Sequence, residues 1–99
     1  METLHTPAAD RLFSAILRLS TVEECYALFE DLCTIREIRD LSQRYEVAAM
    51  LGEGKSYQEI AGKTGASTAT ICRVNKCLHY GEGYRVSLAK MKENEEDMA

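Results

Sequence analysis

The sequence predicts an all-α fold of about six helices, and three observations support this prediction. Apolar residues recur at helical spacing, and between residues 22 and 33 they occupy relative positions 0, 3, 4, 7, 10 and 11. Three segments carry Ser or Thr followed three residues later by Glu, which is the pattern of an N-terminal capping box. No segment shows the alternation of apolar and polar residues that is typical of a β-strand. The 99 residues are therefore expected to form a single helical domain.

Residues 8–54 are predicted to supply the core and dimerisation helices. The first helix follows Pro7 and extends to about residue 19, because proline is favoured at the first position of a helix. The second helix spans residues 22–33 and begins with the capping box Thr21-Val22-Glu23-Glu24. The apolar faces of these two helices hold more hydrophobic surface than one small subunit readily buries, so we expect a homodimer. These faces consist of Leu12, Phe13, Ile16, Leu17, Val22, Cys25, Tyr26, Phe29, Leu32 and Cys33.

Two further helices are expected before residue 54. The capping box Thr34-Ile35-Arg36-Glu37 opens a short third helix that extends to about residue 41. Ser42 is a candidate cap for a fourth helix over residues 43–51, which Gly52 and Gly54 end. The residues of this helix that are expected to face inward are Val47, Met50 and Leu51.

Residues 55–80 have the pattern of a helix-turn-helix, and Ser56-Tyr57-Gln58-Glu59 is the capping box that begins its first helix. Ala61 is the small residue that a close helix crossing requires. Gly65 lies four positions later, where the short turn requires a residue that tolerates a positive φ. The residues spaced to fill the core between the two helices are Ile60, Ile71 and Val74. Together these features predict binding to double-stranded DNA.

The second helix of this motif has an apolar side and a polar side. At 100° per residue, Ile71 and Val74 fall on the apolar side, whereas Arg73 and Lys76 fall on the polar side. A recognition helix presents its N-terminal residues to base edges, and its later cations reach phosphates. The predicted DNA-binding residues are Gln58, Lys63, Ser67, Thr68, Ala69, Thr70, Arg73 and Lys76.

Charge is distributed unevenly along the chain. The net charge of −4 at pH 7 would by itself argue against a nucleic-acid-binding protein. Residues 1–54 carry a net charge of −5 and residues 93–99 carry −4, whereas residues 55–92 carry +5. The basic segment coincides with the helix-turn-helix, as contact with DNA phosphates requires. Residues 81–99 are predicted to form a short C-terminal helix followed by a frayed acidic tail.

Other functional classes receive little support from the sequence. There is no secretory segment and no run of about 18 apolar residues, so we expect a cytoplasmic protein with no membrane partner. The cysteines and histidines show no metal-ligand spacing, and we expect no metal, no cofactor and no enzymatic activity. Cys25, Cys33 and Cys77 are expected to pack as reduced, small apolar side chains. Cys72 falls on the exposed helix face, where a redox-sensing role stays open.

Four runs of residues carry a resemblance to a known family. They are Asp31-Leu32-Cys33-Thr34-Ile35-Arg36-Glu37, Gln43-Arg44-Tyr45-Glu46-Val47-Ala48, Gly65-Ala66-Ser67-Thr68-Ala69-Thr70-Ile71 and Arg73-Val74-Asn75. In these runs the chain resembles the Trp repressor superfamily, and more closely its YerC/YecD branch of TrpR-related proteins, over about residues 10–85. The resemblance implies an intertwined dimer whose two helix-turn-helix heads reach successive major grooves, about 34 Å apart.

The resemblance also raises tryptophan as a corepressor, and here the sequence departs from the family pattern. In the tryptophan-binding repressors the indole lies against a glycine that follows the recognition-helix arginine. Arg73 matches that arginine, but Val74 occupies the glycine position. A serine that helps to hold the ligand corresponds to Cys77, and an arginine of the preceding long helix aligns with Gln43, beside Arg44. The branched side chain of Val74 is a steric obstacle to the ring, so tryptophan is not expected to bind and the effector, if any, is unknown.

Two interpretations of the exposed helix face stay open. The first is a homodimeric, sequence-specific DNA-binding regulator of transcription. The alternative is a helical interaction module that binds another protein through the same face, an interpretation for which the acidic first half of the chain leaves room. A steep salt dependence of binding to duplex DNA separates the two, because contacts with phosphates release counterions.

Overall fold

Six α-helices account for the regular structure of the described part of the chain. The structure is a computed structural model that describes residues 4–98, with side chains as far as residue 94. In chain order the helices are α1 (Pro7–Leu17), α2 (Val22–Leu32), α3 (Ile35–Gly52), α4 (Tyr57–Thr64), α5 (Thr68–Tyr80) and α6 (Gly83–Met98). Residues 4–98 contain no strand, and the predicted all-α fold is therefore confirmed.

Side-chain caps explain where the first three helices begin. Thr6 caps α1 and precedes Pro7, which occupies the first turn. In α2 the hydroxyl of Thr21 accepts the Glu24 N–H at 3.1 Å, and the Glu24 carboxylate accepts the Thr21 N–H at 3.1 Å. At the start of α3, the hydroxyl of Thr34 accepts the Glu37 N–H at 3.1 Å, and the Glu37 carboxylate accepts the Thr34 N–H at 2.8 Å. These reciprocal bonds satisfy backbone N–H groups that have no partner within the helix, so both capping boxes are confirmed.

The segment after the second capping box is one helix of 18 residues, whereas the sequence predicts two shorter helices. Leu41 and Ser42, at the expected break, are both helical. The prediction is wrong because no Gly or Pro interrupts the backbone here, and one serine costs little within a long helix. Gly52 ends α3 as predicted, and Gly54 follows it with a φ of +82°.

The two terminal helices differ in length from the prediction. α1 ends at Leu17 rather than near residue 19. α6 is a helix of 16 residues, in place of a short helix with a frayed tail. The residues from 92 to 98 include neither Gly nor Pro and are rich in Glu, a good helix former, so the helix continues through them. Residue 99, the last of the predicted tail, lies outside the described residues.

The chain divides into two compact units, Met1–Ile38 and Arg39–Ala99. In the first unit, α1 and α2 contain no buried residue. The second unit contains most of α3 together with α4, α5 and α6, and it holds a hydrophobic core. The buried residues of this core are Val47, Ala48, Met50, Ile60, Ala66, Ile71 and Val74. The half-buried side chains packed against it are Leu51, Ala61, Tyr84 and Leu88.

Side chains of α3 also join this helix to α6 within the second unit. The hydroxyl of Tyr45 forms a hydrogen bond with the hydroxyl of Ser87 at 2.5 Å. The ring of Tyr45 lies 6.2 Å from the ring of Tyr84, with an angle of 50° between the two planes. These contacts, together with the packing of Leu88 on the core, hold α6 against α3.

All four cysteines are free thiols, but two of them are not packed as expected. Cys25 and Cys77 are exposed, and Cys33 is half-buried. Cys25 lies on the apolar face of α2 that is expected to meet a second copy, and α2 buries no residue in the single chain. The prediction for Cys77 fails because this residue lines a surface cavity near the end of α5. Cys72 is exposed, as expected.

Candidate nucleic-acid interface

The turn between α4 and α5 contains three residues and has the backbone that a helix-turn-helix requires. α4 ends at Thr64, and Gly65 adopts φ 73° and ψ 6°, in the left-handed region that glycine enters without steric cost. The Gly65 N–H donates to the carbonyl of Ala61 at 2.9 Å. The hydroxyl of Thr64 donates to the Ile60 carbonyl at 2.7 Å and accepts the Ala66 N–H at 3.1 Å. The predicted role of Gly65 is therefore confirmed.

Buried side chains hold the two helices of the motif together. Ile60 is 0 % exposed, Ile71 is 1 % exposed and Val74 is 2 % exposed. Ala66, in the turn, is also buried, and Ala61 is half-buried. Burying an aliphatic side chain of this size contributes about 1.5–3 kcal/mol, so these residues account for much of the stability of a small motif. The three residues that the spacing predicts to fill the core of the motif are therefore buried as predicted.

The face of α5 opposite this core is exposed and polar. It comprises Thr68, Ala69, Cys72, Arg73 and Lys76, and we refer to these five residues as the α5 stripe. Their separations of three and four positions place them along one side of the helix. On α4, Gln58 and Lys63 are exposed as well. Seven of the eight predicted DNA-binding residues are thus exposed to solvent.

The eighth predicted residue, Thr70, is half-buried and lies away from the α5 stripe. Its backbone N–H donates to the hydroxyl of Ser67 at 3.1 Å, and the same Ser67 hydroxyl donates to the Thr70 hydroxyl at 3.1 Å. Ser67 is therefore the N-cap of α5, and its side chain has a structural task. The sequence pattern did not separate these two residues from the exposed stripe.

Basic residues of the segment 55–92 surround the motif at exposed positions. Arg73 and Lys76 lie on the α5 stripe, and Lys63 lies in the last turn of α4. Arg85 is held differently, because its guanidinium Nε and Nη2 atoms donate to the Gly81 carbonyl at 3.0 and 2.7 Å. This bond fixes the connection between α5 and α6. The cations placed to meet a phosphate from the motif are therefore those of α4 and α5.

A cavity of about 330 Å³ lies between α3, α5 and α6, beside the motif. Its lining residues are Asp40, Gln43, Arg44, Thr70, Arg73, Val74, Cys77 and Tyr84. Four of them, Gln43, Arg73, Val74 and Cys77, occupy the positions that the resemblance associates with a corepressor. Asp40 and Tyr84 were not foreseen, because their position beside this cavity depends on the packing of α3 and α6 and leaves no local signal in the sequence.

Comparisons with known proteins agree with this architecture. The family model described as Trp repressor protein matches residues 8–92. The chain belongs to the Trp repressor family. The uncharacterized protein YerC of Bacillus subtilis (strain 168) is 52 % identical over 96 residues, which cover 96 % of this chain and 92 % of YerC. The predicted relationship to the YerC branch of the family is therefore confirmed.

Two solved structures of the family have the same fold. A putative Trp repressor from Staphylococcus aureus superposes with a TM-score of 0.86 at 49 % identity, and 90 % of each chain is covered. A TrpR-like protein from Eubacterium eligens ATCC 27750 has a TM-score of 0.86 at 54 % identity, and the match covers 90 % of this chain and 93 % of that one. At these identities the correspondence concerns the family as well as the fold.

Two residues that line the cavity, Gln43 and Val74, are also engaged within the protein. Val74 is 2 % exposed and belongs to the hydrophobic core. The side-chain amide of Gln43 is already bonded within the protein, because its Nε2 donates to the Thr64 carbonyl at 3.0 Å.

The described residues provide neither a candidate metal site nor a membrane-spanning helix. No group of three or more His, Cys, Asp or Glu side chains among these residues could hold a metal ion. In the same part of the chain, no helix combines the length and the apolar composition needed to cross a membrane.

Proposed function

We propose that the protein is a homodimeric, sequence-specific DNA-binding regulator of transcription that acts in the cytoplasm. The observation that carries this proposal is the α5 stripe, an exposed polar face on the second helix of a helix-turn-helix. A buried core on the opposite side fixes the orientation of this face. Membership in a repressor family supports the same class of function.

The side chains of the motif suggest distinct roles at a DNA surface. Arg73 and Lys76 are exposed cations near the middle of α5, where they would contact phosphates. Thr68 and Ala69 open the helix and would face base edges in the major groove, with Ser67 beside them. On α4, Gln58 would reach the same groove, and Lys63 would add a contact with the backbone. Thr70 would act indirectly, by holding the N-cap of α5.

The exposed apolar side chains of α1 and α2 support a dimer in which a second copy of the chain covers them. In the single chain Phe13 is 60 % exposed, Leu17 is 84 % exposed and Val22 is 66 % exposed. Tyr26 and Leu32 are exposed as well. Apolar surface contributes about 25 cal/mol per Å² when it leaves water, so association is favourable. A symmetric dimer buries the same patch on both copies, and it would present two heads to two half-sites.

We propose that tryptophan does not bind in this cavity and does not act as a corepressor. Val74 obstructs the ring, and the amide of Gln43 is bonded to the Thr64 carbonyl. The heads would then bind DNA without tryptophan. A ligand shifts the equilibrium between DNA-binding and non-binding states of the heads only if its affinities for the two states differ. A ligand that does not bind cannot shift it.

The test of the proposed function is DNA binding measured over a range of salt concentrations. The binding site is first obtained by sequencing DNA fragments that copurify with the protein. Affinity for that site should fall steeply with salt, because each phosphate contact releases condensed counterions. Lys76→Ala should weaken binding to all sequences alike and reduce the slope of log K against log[salt] by about one unit. Thr68→Ala should instead change which sequence is preferred.

The experiment compares Thr68→Ala with Lys76→Ala as matched variants. Both residues belong to the α5 stripe and lie about two helical turns apart on one face. If neither substitution alters DNA affinity, the α5 stripe is not the docking face. Binding that is insensitive to salt would favour the alternative, a module that binds another protein through α5.

A further inference from the structure

A side chain of α3 holds the turn of the helix-turn-helix from outside the motif. Gln43 is half-buried, and its Nε2 donates to the Thr64 carbonyl oxygen at 3.0 Å, across 21 positions of sequence. Thr64 is the last residue of α4. The final carbonyls of a helix have no partner within the helix, so this oxygen needs a donor from elsewhere.

The other hydrogen bonds of the turn are local to it. The Thr64 hydroxyl connects the Ile60 carbonyl to the Ala66 N–H, and the Gly65 N–H reaches the Ala61 carbonyl. These bonds set the shape of the turn, but they do not fix its position relative to α3. The bond from Gln43 is different, because it joins the turn to a separate helix of the same unit.

The position of Gln43 also places it beside the recognition helix. It lines the 330 Å³ cavity together with Thr70 and Arg73 of α5. One Gln43 side chain therefore contacts the turn and borders the space between α3 and α5. A change in the turn at Thr64 would displace the start of α5, because only three residues separate the two helices.

We propose that Gln43 is a positioning residue for DNA binding, which fixes the recognition helix against α3 through the Thr64 carbonyl. This proposal rests on the proposed function. In this proposal the hydrogen bond from Gln43 to the Thr64 carbonyl keeps the helix-turn-helix in its DNA-binding orientation. Gln43 need not touch DNA, so its loss should change affinity without changing sequence preference or the number of phosphate contacts.

The experiment compares Gln43→Met with Tyr45→Phe. Methionine has nearly the length of glutamine but cannot donate a hydrogen bond. Tyr45→Phe removes a hydroxyl two residues later on the same helix, where the hydrogen bond goes to Ser87 on α6 and not to the turn. Both variants lose one half-buried hydrogen bond between helices, so their effects on overall stability are matched.

Gln43→Met should lower the affinity for the selected DNA site by about three- to tenfold, with an unchanged salt slope and an unchanged preferred sequence. Tyr45→Phe should leave the affinity within about twofold of wild type. Amide hydrogen exchange at Gly65 and Ala66 should accelerate in Gln43→Met and not in Tyr45→Phe, since exchange reports local opening.

Each result decides the question. The proposal is overturned if the wild-type protein binds DNA and Gln43→Met binds equally tightly, or if Tyr45→Phe weakens binding to the same extent. A wild-type protein that does not bind duplex DNA overturns the proposed function instead. In that case unchanged exchange at Gly65 and Ala66 in Gln43→Met shows that Gln43 does not hold the turn, and accelerated exchange shows that it does.

Discussion

Two glycines of the helix-turn-helix provide matched substitutions that test the geometry of its turn. Gly62 and Gly65 are both exposed, and a Cβ atom added to either would meet no atom within 4 Å. They differ in backbone conformation. Gly65 has a φ of +73°, whereas Gly62 lies inside α4. Because the surrounding space is equivalent, the stabilities of the two alanine variants report the backbone alone.

The two substitutions should change stability in opposite directions. Gly62→Ala should raise the free energy of unfolding by about 0.5–1 kcal/mol, which is the advantage of alanine over glycine in a helix interior. Gly65→Ala should lower it by about 1–2 kcal/mol, because a Cβ atom in the left-handed region crowds the backbone. The variants should therefore differ by about 1.5–3 kcal/mol. Gly65→Asn should be less destabilising than Gly65→Ala, because asparagine tolerates this conformation.

The assay is urea unfolding followed by circular dichroism, at one fixed protein concentration. The concentration is fixed because the apparent stability of a dimer depends on it. The midpoint and the slope are both compared, since only a change in midpoint at constant slope is a change in stability. A Gly65→Ala variant as stable as wild type would refute the left-handed turn. Equal shifts in the two alanine variants would refute it as well.

Three other predictions concern the dimer, pH and tryptophan. Leu17→Glu should convert the dimer to a monomer in light scattering, because it places a charge on the exposed apolar face of α1. Ser14→Glu, at another exposed position of α1, should leave the dimer intact. A wild-type protein that is monomeric at micromolar concentration would refute the dimer itself. The backbone hydrogen bond from Ser20 lowers the pKa of Glu24 below its ordinary value of 4.5. The hydrogen bonds to the Glu24 carboxylate therefore stabilise the fold above pH 4.5, and this stabilisation is lost as the pH falls through the lower folded pKa. Glu24→Gln should reduce the loss of stability at acid pH, as measured by urea unfolding at several pH values. Calorimetry with L-tryptophan should show no micromolar binding, and DNA affinity should change less than tenfold on its addition.

The sequence was sufficient wherever a structural feature depends on a few neighbouring residues. The capping boxes at Thr21 and Thr34 form as predicted, because each requires only two side chains three positions apart. Gly65 adopts a positive φ for a similarly local reason. The core of the motif was also predictable, since the 3.6-residue period places Ile71 and Val74 on one side of α5.

The errors arise where the outcome depends on continuity or on distant contacts. Serine occurs both at helix caps and inside helices, so Ser42 alone does not separate the start of a new helix from the continuation of α3. Cys77 follows the apolar period of α5, yet it is exposed and lines the cavity between α3, α5 and α6, whose existence depends on contacts between distant helices. The bond from Gln43 to Thr64 spans 21 positions and has no local signal.

The hydrogen bonds around the turn also bear on how the proposed regulator would be controlled. A head whose turn is held by Gln43, Thr64 and Ser67 has much of its order supplied by its own chain. A ligand in the neighbouring cavity would then increase DNA affinity only by stabilising an orientation of the recognition helix that the chain already favours. The coupling free energy between ligand binding and DNA binding would therefore be small. The exposed apolar faces of α1 and α2 are different, because the single chain leaves them uncovered. We therefore expect control of DNA binding to act on the assembly of the dimer, so that DNA affinity should depend on protein concentration more than on a ligand of the cavity.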